Sequence, residues 1–181
     1  PERLRLALVD APSYTVLMDL ELAGKVALVS GGSRGIGRAC VRARAREGAE
    51  VVFSWTNNEG AARETVATAE SEGGRASAIR LDVSDPEACK RTVSQVVDEK
   101  GALHILVNNA GIAIDGLTQI YKDEDLDRIF RTNVFGAFYL SRAAARPMVK
   151  ARYGRIIMMG SVVGQMGNAG QTAYAGTKAA L

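Results

Sequence analysis

The chain has 181 residues, 47% apolar and 24% charged, with a formal net charge of +3. That is the composition of one globular domain with room for a full core. No Lys/Arg-rich block with interleaved aromatics points to nucleic acid, no apolar run approaches the ~18 residues of a membrane span, and one His with scattered carboxylates gives no metal-ligand cluster.

Residues 1–17 differ from the rest of the chain. Residues 3–8 alternate like a strand, and Ala11-Pro12-Ser13 breaks the pattern. Met18 then opens a stretch that reads as a natural start. Residues 1–17 are therefore expected to be an upstream extension, a processed leader or a cloning-derived segment, and 18–181 the domain. A secretory signal is not expected, because Arg3 and Arg5 interrupt the apolar stretch and Asp10 comes after it.

From Lys25 the pattern becomes regular. Residues 26–30 form a buried-strand run, a Gly-rich turn comes next, and a helix is expected over 35–47. A strand at 50–54, a helix over 59–72 closed by Gly73-Gly74 and a strand at 76–81 come after it. Asp85-Pro86-Glu87 is a helix start, with an Asp cap and Pro at the first position; that helix ends near Gly101. A strand at 104–108 precedes a long helix opened by Asp123-Glu124-Asp125, acids placed as the helix dipole prefers. It runs towards Lys150, with Pro147 a candidate kink. A strand at 155–159 and a Gly-rich loop lead to a last helix carrying Tyr174. Strands alternating with helices mean βαβ units and a mainly parallel sheet, and continuous apolar strands fit a sheet covered on both faces. Cys40 and Cys89 fall in separate predicted helices without a C-x-x-C pattern, as buried free thiols of a reducing compartment do.

Three features carry chemistry. The turn Ser30-Gly31-Gly32-Ser33-Arg34-Gly35-Ile36-Gly37 ends a strand and opens a helix, the context in which a Gly-rich turn and free helix N–H groups hold a pyrophosphate. Its spacing is G-x-x-x-G-x-G, and a merely tight turn is the other reading. Where NAD sites place an acid, the second strand ends Ser54-Trp55-Thr56-Asn57-Asn58, with no acid until Glu59. Arg34 could face a 2′-phosphate, so NADP(H) is the expected cofactor; a solvated surface Arg is the alternative. Finally, Tyr174 and Lys178 lie four apart on one helical face. An ammonium ~4 Å from a phenol favours the phenolate by about 4 kcal/mol at an effective dielectric of ~20. That brings a group titrating near ~10 into the range of a general acid/base. Alone, the pair reads as an ordinary amphipathic helix, and it carries chemistry only if the upstream chain supplies a cofactor and a polarising hydroxyl.

Taken in order, these motifs resemble the short-chain dehydrogenase/reductase family, and within it the bacterial 3-oxoacyl-[acyl-carrier-protein] reductases. The resemblance covers residues 20–181. It rests on the Gly31/Gly35/Gly37 turn, Asp82-Val83, Asn108-Asn109-Ala110-Gly111, Asn133, Ser161 within the stretch 160–168, and Tyr174 with Lys178. It implies an α/β fold, a Rossmann-type doubly wound parallel sheet with helices on both faces. Gly31, Ser33, Arg34, Gly35, Ile36 and Gly37 would hold the dinucleotide, Asp82 and Val83 the adenine, and Asn109, Ala110 and Gly111 the cofactor floor. Ser161 would hydrogen-bond the substrate carbonyl and Tyr174 donate the proton. Lys178 would bind the nicotinamide ribose and tune Tyr174, and Asn133 would hold a water linking Lys178 to solvent.

The implied activity is NADPH-dependent reduction of a 3-oxoacyl thioester on acyl carrier protein in fatty acid synthesis, in the cytoplasm. A sugar or other ketone substrate is the alternative. An acidic carrier would meet a basic rim, with Arg152, beside Lys150 and Arg155, the position the resemblance credits with docking; a solvated helix end is the other reading. The long helix and the Tyr174 helix would pack against partner subunits in a tetramer or dimer. The family continues beyond the position of Leu181, so the domain is expected to lack its last strands and to leave the fifth strand as an apolar edge. A non-catalytic nucleotide-binding fragment is therefore the second expectation.

Overall fold

The computed structural model describes residues 19–181. The expectations for 1–17 lie outside the described residues. Five strands, β1 (Val26–Val29), β2 (Glu50–Trp55), β3 (Arg75–Arg80), β4 (Ile105–Asn108) and β5 (Arg155–Met158), form one sheet in the order β3-β2-β1-β4-β5, every pair parallel. The order reverses between β1 and β4, and such a switch point opens a crevice at the carboxyl ends of the strands.

Side-chain alternation along each strand feeds two cores. Ala27, Val29, Val51 and Phe53 pack with α1 (Gly35–Arg46) and α2 (Glu59–Ser71) on one face. Val26, Leu28, Val52 and Leu106 pack with α3 (Pro86–Lys100) and with Leu140, Ala144 and Met148 on the other. The layers are those of a doubly wound α/β domain. Side chains cap two helices, at Asp85 as predicted and at Asn58, where no cap is predicted. Asn58 Oδ1 accepts from Ala61 N–H at 2.9 Å, and Asp85 Oδ1 accepts from Glu87 and Ala88 N–H at 2.9 and 3.0 Å.

Four expectations need correction. The third strand is not a continuous apolar run: R-A-S-A-I-R lies at the sheet edge, with Arg75, Ser77, Ala78 and Arg80 exposed. A central-strand pattern is not required there, because an edge strand is covered less and charged flanks protect it. The long helix is interrupted: α4 (Asp123–Phe130) and α5 (Gly136–Ala151) are joined by a π turn, Arg131–Phe135. The loop after β5 contains a short helix, α6 (Val163–Met166), before α7 (Thr172–Ala179), and Thr118–Ile120 is a 3-10 turn. Cys89 is buried as expected, but Cys40 is only half-buried. At the other edge, β5 leaves Ile156 and Met158 exposed, as the apolar-edge expectation requires. Among the described residues no helix is long and apolar enough to cross a membrane.

Candidate active site

The Gly-rich turn is tied to both neighbours of β1. Ser54 Oγ accepts from Gly31 N–H at 3.1 Å on the β2 side. On the β4 side, Asn109 Nδ2 donates to the carbonyls of Ser30 and Gly31 at 2.9 and 3.0 Å. The buried Ser30 hydroxyl accepts from the N–H groups of Asn109 and Ala110, both at 3.0 Å. Gly37 explains the tight seat: a Cβ there would overlap the Gly31 carbonyl oxygen and stand 2.5 Å from Asn109 Nδ2. Helix α1 therefore begins hard against the turn.

Unlike α2 and α3, α1 has no side-chain cap at its N-terminal residue Arg34. Its first-turn N–H groups lie at the carboxyl end of the sheet without an internal acceptor, which is the donor set a phosphate takes. Arg34 and Ile36 are exposed, and Arg34 makes no ion pair among the described residues. The Ser33 carbonyl accepts from Arg38 on α1 and Thr65 on α2. These residues fit the diphosphate of a dinucleotide. Asp82 lies just past β3, where its Oδ1 accepts from Ser84 N–H and Oγ–H at 2.9 and 2.7 Å. The Val83 side chain is buried in the core, so what Val83 can offer a nucleobase is its main chain.

At the other end of the crevice, several elements converge. Lys178 Nζ donates to the Met159 carbonyl at 2.7 Å and stands 5.9 Å from the centroid of the Tyr174 ring. No carboxylate pairs with it among the described residues, and burial pushes its pKa down from the usual lysine value. A Cβ at Gly111 would lie 3.7 Å from Lys178 Nζ and 3.2 Å from Asn133 Oδ1, so the three residues share one small space.

Asn133, in the π turn, is buried and its amide is engaged. Oδ1 accepts from Ile112 N–H at 2.8 Å, and Nδ2 donates to the Ile112 carbonyl at 2.9 Å and to Thr177 Oγ at 3.0 Å. Both amide protons are spent, so any water beside Asn133 would use a remaining oxygen lone pair. π turns recur at functional positions. Ser161 Oγ accepts from Val163 N–H at 3.2 Å, which leaves its own proton free to donate. Helix α6 is held on α7 because Gly164 lacks a side chain: a Cβ would stand 2.8 Å from the Lys178 backbone.

The structure thus gathers Gly111, Asn133, Tyr174 and Lys178, with Ser161 on the loop two residues beyond Met159. Arg152 is elsewhere. It ends α5 in a left-handed conformation, three residues before β5 begins, and so sits at the amino edge of the sheet with Lys150 and Arg155. The expected basic rim at the site entrance is not formed by these residues within one chain, because a parallel strand separates them from Ser161. Sequence reasoning also missed Ser30 and Thr177. The signal for each was present: a polar residue ending an apolar strand beside the switch point, and a Thr next to Lys178 on the helix's buried side.

A profile of the short chain dehydrogenase family matches residues 25–181. The chain belongs to the short-chain dehydrogenase family. The chain is 46% identical over 162 residues to the 3-oxoacyl-[acyl-carrier-protein] reductase FabG of Vibrio harveyi, and 45% over 158 residues to that of Escherichia coli. The first match covers 90% of this chain and 65% of the relative, the second 87% and 63%. The chain therefore spans less than two thirds of the curated relatives' length. Among solved structures, a Serratia marcescens short-chain dehydrogenase/reductase variant superposes with a TM-score of 0.82 at 41% identity, covering 88% of this chain and 64% of that one. An NAD+-bound xylitol dehydrogenase gives 0.84 at 34%, covering 88% and 62%. The family takes nicotinamide cofactors, and this chain has an uncapped Gly-rich turn and a half-buried Lys178.

Proposed function

We propose that this chain carries the cofactor-binding and catalytic residues of an NADPH-dependent reductase acting on 3-oxoacyl thioesters of acyl carrier protein. The observation that carries the reading is the meeting of Tyr174, Lys178, Asn133 and Gly111 at the crevice end opposite the uncapped Gly-rich turn. Similarity to FabG proteins at 45–46% identity supports the substrate class. The absence of an acid at the end of β2 and the exposed Arg34 support NADP(H) over NAD.

When bound, the nicotinamide supplies hydride to the substrate carbonyl carbon. Ser161 and Tyr174 donate to the carbonyl oxygen as it gains negative charge, and Tyr174 gives up the proton. Lys178, a cation paired with one carbonyl, stabilises the charge left on Tyr174 and has protons to spare for ribose hydroxyls. Asn133 fixes the Ile112 backbone and Thr177, and so positions the helix bearing the pair. Asp82 and the Val83 main chain take the adenine end, and Asn109, Ala110 and Gly111 form the floor.

Phe135, Phe138 and Val149 lie exposed along the helix that includes the π turn, an apolar stripe suited to a second copy of the chain. In such an assembly Arg152 of a neighbouring copy could face a carrier at this site. An NAD-linked ketone or polyol activity is the second reading, favoured by the fit to xylitol dehydrogenase.

The test is NADPH oxidation with an acetoacetyl thioester, comparing the chain with Tyr174→Phe. Turnover that falls at least ~1,000-fold in the variant, with NADPH binding kept, supports the reading. Equal turnover in both rejects Tyr174 as the acid. Preference for NADH and a polyol-derived ketone moves the assignment to the second reading.

A further inference from the structure

The Gly-rich turn can receive a diphosphate only if it presents N–H groups to the crevice. A single peptide plane turned the other way would aim a carbonyl at the anion. The plane joining Ser33 to Arg34 lies where the turn comes to the surface, and its carbonyl is held by side chains from α1 and α2. The Ser33 carbonyl oxygen accepts from Arg38 Nε at 3.1 Å and from Arg38 Nη2 at 2.9 Å. Thr65 Oγ lies 3.1 Å from the same oxygen and 2.9 Å from the Ala61 carbonyl, sharing its one proton between them.

Both grips are themselves anchored. Arg38 Nη2 reaches the Ala61 carbonyl at 3.4 Å, and its guanidinium pairs with both carboxylate oxygens of Glu64 at 3.1 and 3.0 Å. Thr65 is fully buried. In a trans peptide the C=O and the N–H of the next residue point in opposite directions. Drawing the Ser33 carbonyl towards α2 therefore aims the Arg34 N–H away from α2, and that N–H has no acceptor among the described residues.

We infer that Arg38 and Thr65 are positioning residues for a nucleotide diphosphate, holding the Ser33–Arg34 peptide so that its N–H faces the phosphates. The inference rests on the dinucleotide reading of the site. Neither residue needs to touch the ligand. Arg38 points its donors at protein carbonyls and a carboxylate, so its charge is largely answered by Glu64 before any phosphate arrives. What Arg38 contributes is the geometry of its planar fork, which a lysine of the same charge does not reproduce.

Calorimetric titration of the chain with NADPH and with adenosine 2′-monophosphate tests this. The second ligand keeps the adenosine and 2′-phosphate but has no diphosphate. Arg38→Met and Arg38→Lys are expected to weaken NADPH about tenfold and Thr65→Val about threefold, with Thr65→Ser restoring wild-type binding, while adenosine 2′-monophosphate is unchanged throughout. Thermal midpoints of the free variants, with Thr65→Ser as the conservative rescue, separate binding from folding.

NADPH affinity unchanged in Arg38→Met overturns the inference. Full rescue by Arg38→Lys also overturns it, because charge alone would then suffice. So does an equal loss of both ligands, which would mark general damage to the domain. A wild-type chain that binds neither NADPH nor NADH rejects the dinucleotide reading and the inference with it. Wild-type binding with unaffected variants rejects the inference alone.

Discussion

Lys178→Met separates folding from chemistry at the candidate site. The ammonium stands 5.9 Å from the Tyr174 ring centroid. At an effective dielectric of ~20, a cation about that far from charge developing in the transition state stabilises it by about 3 kcal/mol. Losing it should slow turnover about 100-fold. The effect on stability has two opposing parts. Burial holds the Lys178 pKa below its usual value, so the folded state penalises the cation at neutral pH, and that penalty eases as pH rises through the lowered value. Met removes the penalty, but it also removes the bond to the Met159 carbonyl. The two offset, so the thermal midpoint should move by less than ~4 °C. The assay is NADPH oxidation with an acetoacetyl thioester, alongside a melting curve of the same preparation. Turnover kept above a tenth of wild type would refute the electrostatic role. A midpoint more than ~8 °C lower would show that Lys178 holds the fold rather than the charge.

The same geometry gives three further expected outcomes. Gly37→Ala overlaps the Gly31 carbonyl and crowds Asn109 Nδ2, so overpacking of about 1–3 kcal/mol adds to two weakened hydrogen bonds of about 1 kcal/mol each. Its midpoint should fall by ~10 °C, and a fall under ~3 °C would mean that the turn relaxes freely. His104 Nδ1 accepts from Val26 N–H at 2.9 Å; burial, and then the charge of Lys25, hold the imidazole pKa below its ordinary value. The unfolded chain protonates near ~6.5, before the folded chain does, so this contribution is complete above ~6.5 and is lost as pH falls. Urea midpoints should drop between pH ~7.5 and ~5, and drop less in His104→Gln; equal drops would exclude His104. Burial, and then the charges of Asp85 and Asp82, push the Cys89 thiol up to about 12, while Cys40 is half-buried. A thiol reagent at pH ~8 should label Cys40 in the folded chain and Cys89 only in urea, and equal native rates would contradict the packing.

Much of this fold is legible in the sequence because strand length, cap and turn are written locally. Val26 to Val29 admits no helical face, Asp85 announces a helix start, and the turn at Gly31 to Gly37 lies where a strand becomes a helix. Tyr174 and Lys178 need only the 3.6-residue period to share a face. The features that are not legible are set by tertiary partners. The π turn at Asn133 inserts no Gly or Pro and barely changes the apolar pattern, so periodicity passes through it unmarked. Helix α6 is four residues long, too short for any period. The resemblance credits Arg152 with docking and a basic rim is expected at the site entrance, but β5 runs from Arg155 towards Ser161 and so leaves Arg152 at the opposite end of the strand. Arg38 and Thr65 look like ordinary helical residues, since nothing in their own helices reveals the Ser33 carbonyl between them.

The segment from Asn108 to Ile112 explains how the two halves of the crevice stay in register. Asn108 Nδ2 donates to Ser141 Oγ at 2.9 Å, anchoring the end of β4 to α5. Asn109 grips the Gly-rich turn, and the Ala110 N–H reaches Ser30 Oγ. Gly111 leaves the space that Asn133 and Lys178 occupy, and the Ile112 backbone takes both ends of the Asn133 amide. Five consecutive residues thus face four different elements, and each contact uses a backbone group or a short side chain that allows little slack. A displacement at Asn109 would shift the Gly-rich turn, and one at Ile112 would shift the helix pair at Asn133 and Thr177. Because the segment is continuous, neither end moves without straining the other. The spacing between the proposed diphosphate and hydride-transfer positions is therefore set by the extended chain after β4, at the point where the strand order reverses.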